Sequence, residues 1–284
     1  MKLFFLQVRW GEKSIVALYL SVLSGLVLAL QYDPAAPFYS VSTIDILIPF
    51  GAFWRALHYF ASQLFFLLAV AHVVVMIWNK SYQGLPLLDW AKLILTLPVA
   101  ILLLFTGYVL RGDATGEAAG VIAENLALSL PLAGKWLNGL FFSIAADGLR
   151  RIYANHLIGL GILWVVLAWE HIRRYRLNWG QQYWLIIGLV GGSVIFNAPM
   201  EPARLGVFHI PGPWFFLGIQ ELLRVVQPVW AGVVFPSSFI LALAGLSSRR
   251  QWRGIDVRQV LLAYVLVWLG IYALLTAVGF ARSI

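Results

Sequence analysis

The chain has 284 residues, 61% of them apolar and 11% charged, with a mean hydropathy of +0.85, the composition of a polytopic helical membrane protein rather than a water-soluble one. It has no cysteine, which excludes disulfides, iron–sulfur ligation and any cofactor attached to this chain by thioethers. A formal charge of +8 raises nucleic acid as a partner, and the placement of that charge, taken up below, removes it.

In chain order, the N-terminal stretch MKLFFLQVRWGEKS has no small-residue cleavage site after a short apolar core, so no removable signal is expected. Seven apolar segments follow as predicted membrane helices: Ser14–Gln31, Leu57–Trp78, Lys92–Leu110, His156–Trp169, Gln182–Phe196, Val229–Leu246 and Val260–Ala277. The fourth and fifth are short as cut and are expected to extend into their flanks. The fold class is therefore all-α, a four-helix bundle followed by three further transmembrane helices. No clean repeat is visible, although the first and second pairs of segments each join a histidine-free helix to one with two histidines.

The second and fourth segments carry the chemistry. His58 and His72 are fourteen residues apart. At 100° and 1.5 Å per residue they share one helix face to within about 40° and are separated by roughly 20 Å. His156 and His171 are fifteen apart and about 60° off in phase. A histidine inside a membrane needs a partner, and two such helices side by side would clasp two stacked metal centres.

Topology follows from charge. With seven spans, Lys2, Arg9, Lys13, Lys80, Lys92, Arg173, Arg174, Arg176, Arg249, Arg250, Arg253 and Arg258 lie on the N-terminal side against Glu12, Asp89, Glu170 and Asp256, so the entire +8 sits there. The positive-inside rule makes that side the cytoplasm, and no excess charge is left to meet nucleic acid. Both histidine helices then run inwards from the outer face. The natural pairs are His58 with His156 near the outer surface and His72 with His171 near the inner one, each able to give two axial nitrogens to a haem iron. The long loops, Tyr32–Ala56, Arg111–Ala154 and Asn197–Pro228, are all on the outer side and contain stretches expected to form surface helices. One of them is PGPWFFLGIQELLRVVQP, with Pro213 near its start.

These features together resemble the cytochrome b of quinol-oxidising bc-type complexes. Gly11 and Gly25 are similar to the fourteen-spaced glycine pair of that family's first helix, where a porphyrin leaves no room for a side chain. Arg55, three residues before His58, resembles the arginine that meets a haem propionate, and Ala61 and Ser62 the small residues that follow. Gly107–Tyr108–Val109–Leu110 resembles the end of the third helix. Arg151 precedes His156 by five residues as the family's arginine does, and the fifteen-residue spacing is that of the photosynthetic and related branch. The likeness covers nearly the whole chain. It implies a di-haem domain over 1–180, and over 181–284 the family's second half, fused here and without its eighth helix.

It further implies two non-covalent b-type haems, quinone as exchangeable substrate, and a place in the cytoplasmic (inner) membrane. The partners implied are lipid and an iron–sulfur protein and/or c-type cytochrome on the outer side, in a multi-subunit complex whose dimerisation is left open. In the family, quinol is oxidised at the outer haem and electrons cross to quinone at the inner face. Alternatives are a haem redox anchor that does not bifurcate electrons, and a non-redox transporter or structural subunit.

Several positions depart from the family pattern. Arg111–Gly112 replaces Pro-Trp; Gly212–Pro213–Trp214–Phe215 replaces Pro-Glu-Trp-Tyr, so its glutamate is absent; and Leu93 stands fourteen before Gly107 where a glycine is expected, although Trp90 matches the family's tryptophan. Glu221, eight residues after Pro213, has two readings: a carboxylate that takes the quinol proton, or an ion-pair partner of Arg224. Gln220 is read as structural. So is His209, in preference to a quinone or partner contact.

Overall fold

The computed structural model describes residues 4–203, 211–248, 251–252 and 254–283. Its principal helices are α1 (Trp10–Ala29), α2 (Pro37–Ile46), α3 (Gly51–Trp78), α4 (Leu87–Val109), α5 (Ala114–Leu128), α6 (Gly134–Phe141), α7 (Arg150–Ile172), α8 (Tyr183–Ile195), α9 (Leu217–Leu223), α10 (Trp230–Gly245) and α11 (Val257–Ser283). Among the described residues α1, α3, α4, α7 and α11 are long and apolar enough to cross a membrane, and α8 and α10 are shorter apolar helices. A pairing of Gln251–Trp252 with Ile255–Asp256 is a minor exception to an all-α polytopic membrane fold.

The fourth predicted segment extends as expected, to Arg150–Ile172. The fifth does not: α8 has 13 residues. At 1.5 Å per residue that is roughly 20 Å, less than the ~30 Å of hydrocarbon. It stops because Pro199 disfavours helical backbone at Ala198, and Phe196 is already extended (φ −111°, ψ 129°). The expected loop helices are present as α2, α5, α6 and α9. Asp113 starts α5, its carboxylate accepting from Gly116 N at 2.8 Å.

The chain divides into two compact units, Met1–Ser81 with Trp169–Glu201, and Tyr82–Ala168 with Pro202–Ile284. The first is built on α1 against α3. The buried face of α1 is Gly11, Ser14, Ala17, Ser21 and Ser24 around Val16, and α3 answers with Ala56, Ala61 and larger Leu57, Phe65 and Leu68. Small residues allow backbones to approach without side chains between them, which is how membrane helices associate when no hydrophobic gain is available. Ser14 Oγ donates across to Phe65 O at 3.1 Å. α8 packs on α3 as well. There Phe60, Leu64, Gly188, Leu189, Gly192 and Phe196 border an apolar groove of about 290 Å³.

The second unit joins α4 to α10 and α9 to α11. On α11 the Trp268 ring stacks with Phe235, Phe239 and Tyr272 at 4.6, 4.3 and 5.0 Å between centroids, and its Nε1 donates to Phe235 O at 3.0 Å. α10 opens with a π-turn over Trp230–Val234, just before Pro236, whose missing N–H cannot continue the regular ladder. α9 is clipped to the end of α11: Tyr272 Oη donates to Phe215 O at 2.6 Å, and Gly218 leaves room for the Tyr272 ring.

Trp90 fixes α4 to α10, being 2% exposed with Nε1 donating to Leu243 O at 2.8 Å. Trp90→Ala is expected to destabilise the protein by about 3–5 kcal/mol. Trp90→Phe, which keeps a ring and loses the hydrogen bond, should cost only about 0.5–1.5 kcal/mol. Thermal unfolding of the detergent-solubilised protein checks the order.

Candidate functional site

The imidazoles of α3 are seated against the glycines of α1. A Cβ on Gly25 would lie 2.8 Å from His58 Cε1 and 3.0 Å from Nδ1; one on Gly11 would lie 3.1 Å from both Cε1 and Nδ1 of His72. The two fourteen-residue spacings therefore match, glycine for histidine, along two packed helices. His58 Nδ1 lies 2.8 Å from Ser21 O. A carbonyl only accepts, so Nδ1 carries the proton and Nε2 is the lone-pair nitrogen, the tautomer suited to a metal ligand oriented by its backbone contact. His72 faces His171 within the same unit, ring centroids 6.0 Å apart and planes at 42°. Beyond it lies Tyr175, 6.3 Å from the His171 ring.

The second unit repeats the device. A Cβ on Gly107 of α4 would lie 3.1 Å from His156 Cε1. Thr106 Oγ1 lies 2.9 Å from His156 Nδ1 and within donating distance of Leu102 O at 2.8 Å, so the hydroxyl holds the imidazole at Nδ1 and leaves Nε2 on the far side of the ring. His156 sits in a π-turn, Asn155–Gly159, in the first part of α7. A widened turn re-aims the side chains that follow it and is common at functional positions. Among the described residues no three His, Asp, Glu or Cys side chains converge as a metal cage.

The other expected site residues are locally engaged. Arg55 makes a two-pronged pair with Asp45 of α2 (Nε to Oδ1 2.6 Å, Nη2 to Oδ2 2.5 Å) and donates to Ala198 O and Pro199 O at 2.8 and 3.2 Å. Arg151 is held by Asp147 and by Gly139 O. Arg111 lies 4.1 Å over the Tyr108 ring and bonds Asp113 and Thr115 at 3.2 and 2.6 Å. Glu221 is buried between Arg282 and Arg224, at 2.7 and 3.0 Å. Gln220 accepts from Gly212 N at 2.7 Å, closing the turn before α9. His209 lies outside the described residues.

Sequence reading missed the groups that hold these side chains. Ser21 and Thr106 look like ordinary small polar residues of membrane helices, and Asp45 is separated from Arg55 by a turn. Glu12 was counted only as a cytoplasmic charge, yet it is fully buried. One of its oxygens accepts from Asn178 N at 2.8 Å; the other lies 3.0 Å from Arg9 Nε but has no aligned hydrogen bond among the described residues. Glu124 passed as one more polar residue in a loop helix. It is buried too, accepting from Asn138 Nδ2 and Ala145 N at 2.9 and 3.1 Å.

The glycine contacts make a direct prediction. Gly25→Val must displace the His58 ring and is expected to cost about 1–3 kcal/mol in the thermal unfolding midpoint. Gly270→Val, where a Cβ meets nothing within 4 Å, should cost nothing measurable in the same assay.

Comparison with known proteins gives this geometry a family. Residues 5–185 match the family described as Cytochrome b/b6/petB. Cytochrome b6 of Heliobacterium mobile is 30% identical over 173 residues, 59% of this chain and 81% of that one. Cytochrome b of Rickettsia bellii is 25% identical over 296 residues, 88% and 74% of the two chains. The fold is shared with a chain of a solved structure described as a hyperthermophilic respiratory Complex III, with a TM-score of 0.74 at 20% identity, covering 99% of this chain and 85% of that one. The family match covers more than half of the chain, including all four membrane histidines, and the chain belongs to the cytochrome b/b6 family.

Proposed function

We propose that this chain is the di-haem transmembrane electron-transfer subunit of a quinol–quinone oxidoreductase complex. His58 and His156 would hold an outer b-type haem, and His72 and His171 an inner one, in a cytoplasmic membrane with the N-terminus inside. Residues 1–180 would be the haem-bearing half and 181–284 the family's fused second half. The outer loops would meet an iron–sulfur protein and/or c-type cytochrome, since a chain without cysteine supplies no such centre itself.

The observation that carries the reading is the facing pair His72 and His171. Their centroid separation of 6.0 Å is close to the roughly 6 Å required by two metal–nitrogen bonds of about 2 Å plus two ring radii. The glycine seats at Gly11, Gly25 and Gly107 keep backbone rather than side chain beside three of the four rings, as a bulky planar ligand requires. Bound haem would supply one-electron redox chemistry. The chain would supply imidazole nitrogens, held at His58 and His156 through Nδ1, and an apolar surround that excludes water. Arg55 and Arg151 are the candidates to meet propionates, each exchanging or sharing its present carboxylate partner, Asp45 or Asp147.

An alkaline pyridine haemochrome spectrum should show two b haems per chain. Removing either member of a pair, His72→Leu or His171→Leu, should abolish the same single haem, and His58→Leu or His156→Leu the other. Retention of both haems in any of these variants would end the assignment.

Glu221 is the proposed acceptor of a quinol proton on the outer side. Proton uptake there has to loosen Arg282 or Arg224. Glu221→Gln in the purified complex is then expected to slow inhibitor-sensitive quinol oxidation by about tenfold or more. A second reading, a redox anchor without electron bifurcation, is favoured by the same clamp and by Pro213–Trp214–Phe215 lacking the family's glutamate. Under that reading Glu221→Gln oxidises quinol as the parent does.

A further inference from the structure

Glu12, in the first turn of α1, is fully buried, and the functional reading above gives it no part. A carboxylate shut away from water is costly unless it is paired and hydrogen-bonded. One of its oxygens accepts from Asn178 N at 2.8 Å, in the segment that follows α7; the other lies 3.0 Å from Arg9 Nε. The next residue adds a second strap, Lys13 Nζ donating to Gln182 Oε1 at 3.2 Å. Further along α1, the Tyr19 ring meets that of Trp179 at 5.8 Å. The connection between α7 and α8 is therefore strapped to α1.

These contacts close a circuit around one pair of imidazoles. Gly11, the residue before Glu12, seats His72, since a Cβ there would lie 3.1 Å from the ring. His72 faces His171, centroids 6.0 Å apart and planes at 42°. His171 meets Tyr175 at 6.3 Å, and three residues later Asn178 returns to Glu12. All of these residues belong to the same compact unit. The bond from Asn178 to Glu12 is the link made by a charged acceptor, and such bonds are stronger than neutral ones. Any slide of the end of α7 along α1 has to break it.

Electrostatics give the same residue a second effect. In the Arg9–Glu12 pair the guanidinium side is half exposed and the carboxylate is not exposed at all. Water screens the positive end and leaves the negative end to act on the interior. A negative charge near an iron centre favours the oxidised ion, which carries one positive charge more than the reduced one.

Resting on the di-haem reading above, we propose that Glu12 is a positioning residue for the haem of the His72–His171 pair. Its bond to Asn178 sets the relation of the two imidazoles, and its charge holds that haem's potential down. It acts through Gly11 and Asn178, not as a ligand. The other pair is a built-in control, because Gly25, the seat of His58, is thirteen residues or roughly 20 Å further along α1.

The test is a redox titration of the purified, haem-loaded protein, followed by absorbance and by electron paramagnetic resonance of the ferric state. Glu12→Gln keeps an oxygen for Asn178 N and removes the charge. It is expected to hold two haems with parental resonance signals. The midpoint of one haem, the one lost in His72→Leu, should rise by an amount equivalent to about threefold or more in the reduced-to-oxidised ratio at a fixed potential. Glu12→Asp keeps the charge and withdraws it from Asn178 N. In that variant the resonance signal of the same haem, which depends on how the two imidazole planes are set, should shift while the other haem's stays in place. Parental midpoints in Glu12→Gln, or both haems moving alike, overturn the proposal, as do parental signals in Glu12→Asp. Loss of both haems from either variant marks a general folding role and overturns it too. A parent without two haems overturns the di-haem reading beneath it.

Discussion

An imidazole placed in hydrocarbon has two ring nitrogens to satisfy, and much of the interior of this protein follows from that requirement. At His58 and His156 one nitrogen is answered locally, by Ser21 O and by Thr106 Oγ1. That contact needs the neighbouring helix within hydrogen-bonding distance of the ring. The approach is possible only where the neighbour has no side chain, hence Gly25 and Gly107 at the points of contact and Gly11 against His72. The small face of α1 is thus a consequence of where the rings of α3 must sit. Serines beside the glycines keep the helices close and supply bonds such as Ser14 to Phe65 O.

The long loops follow different physics. Here backbone runs outside regular spans, and charged side chains tie it down: Asp113 caps α5 and takes Arg111, Asp45 takes Arg55, and Glu221 takes Arg224 and Arg282. Each carboxylate is buried or nearly so, and in each of these three clusters a guanidinium supplies the matching donors. Glu124 breaks the pattern: among the described residues its donors, Asn138 Nδ2 and Ala145 N, are neutral.

The spans, their order and the histidine register were legible because hydropathy and helical periodicity act over a dozen residues or more, and local exceptions average out. The motif residues were legible because glycine and arginine at fixed spacings mean backbone approach and anion contact. The shortness of α8 was legible only in part: Pro199 was visible, but the stop at Ile195 depends on the backbone turning extended at Phe196. The π-turn at Asn155–Gly159 has no composition signal, since any residue can occupy it when packing asks for one extra residue per turn. Asp45, Glu12 and Glu124 were hidden for another reason. Sequence gives their charge, and only the fold says whether a loop or an adjoining helix has closed over them.

Where the charges stop is the last constraint. Within the five long spans, every Asp, Glu, Lys and Arg lies within about six residues of an end: Glu12 and Lys13 in α1, Arg55 in α3, Asp89 and Lys92 in α4, Arg150, Arg151 and Glu170 in α7, Arg258 and Arg282 in α11. A path for ions or polar solutes through a helical bundle is marked by charged side chains or unwound backbone near the midplane. In these spans the middle turns carry none of the former. His58, His72, His156 and His171 are the histidines of the spans, and they too stand toward the ends, two near one and two near the other. An apolar middle with imidazoles toward its ends is what the proposed di-haem role needs, since flat, hydrophobic cofactors are held there without charged side chains beside them.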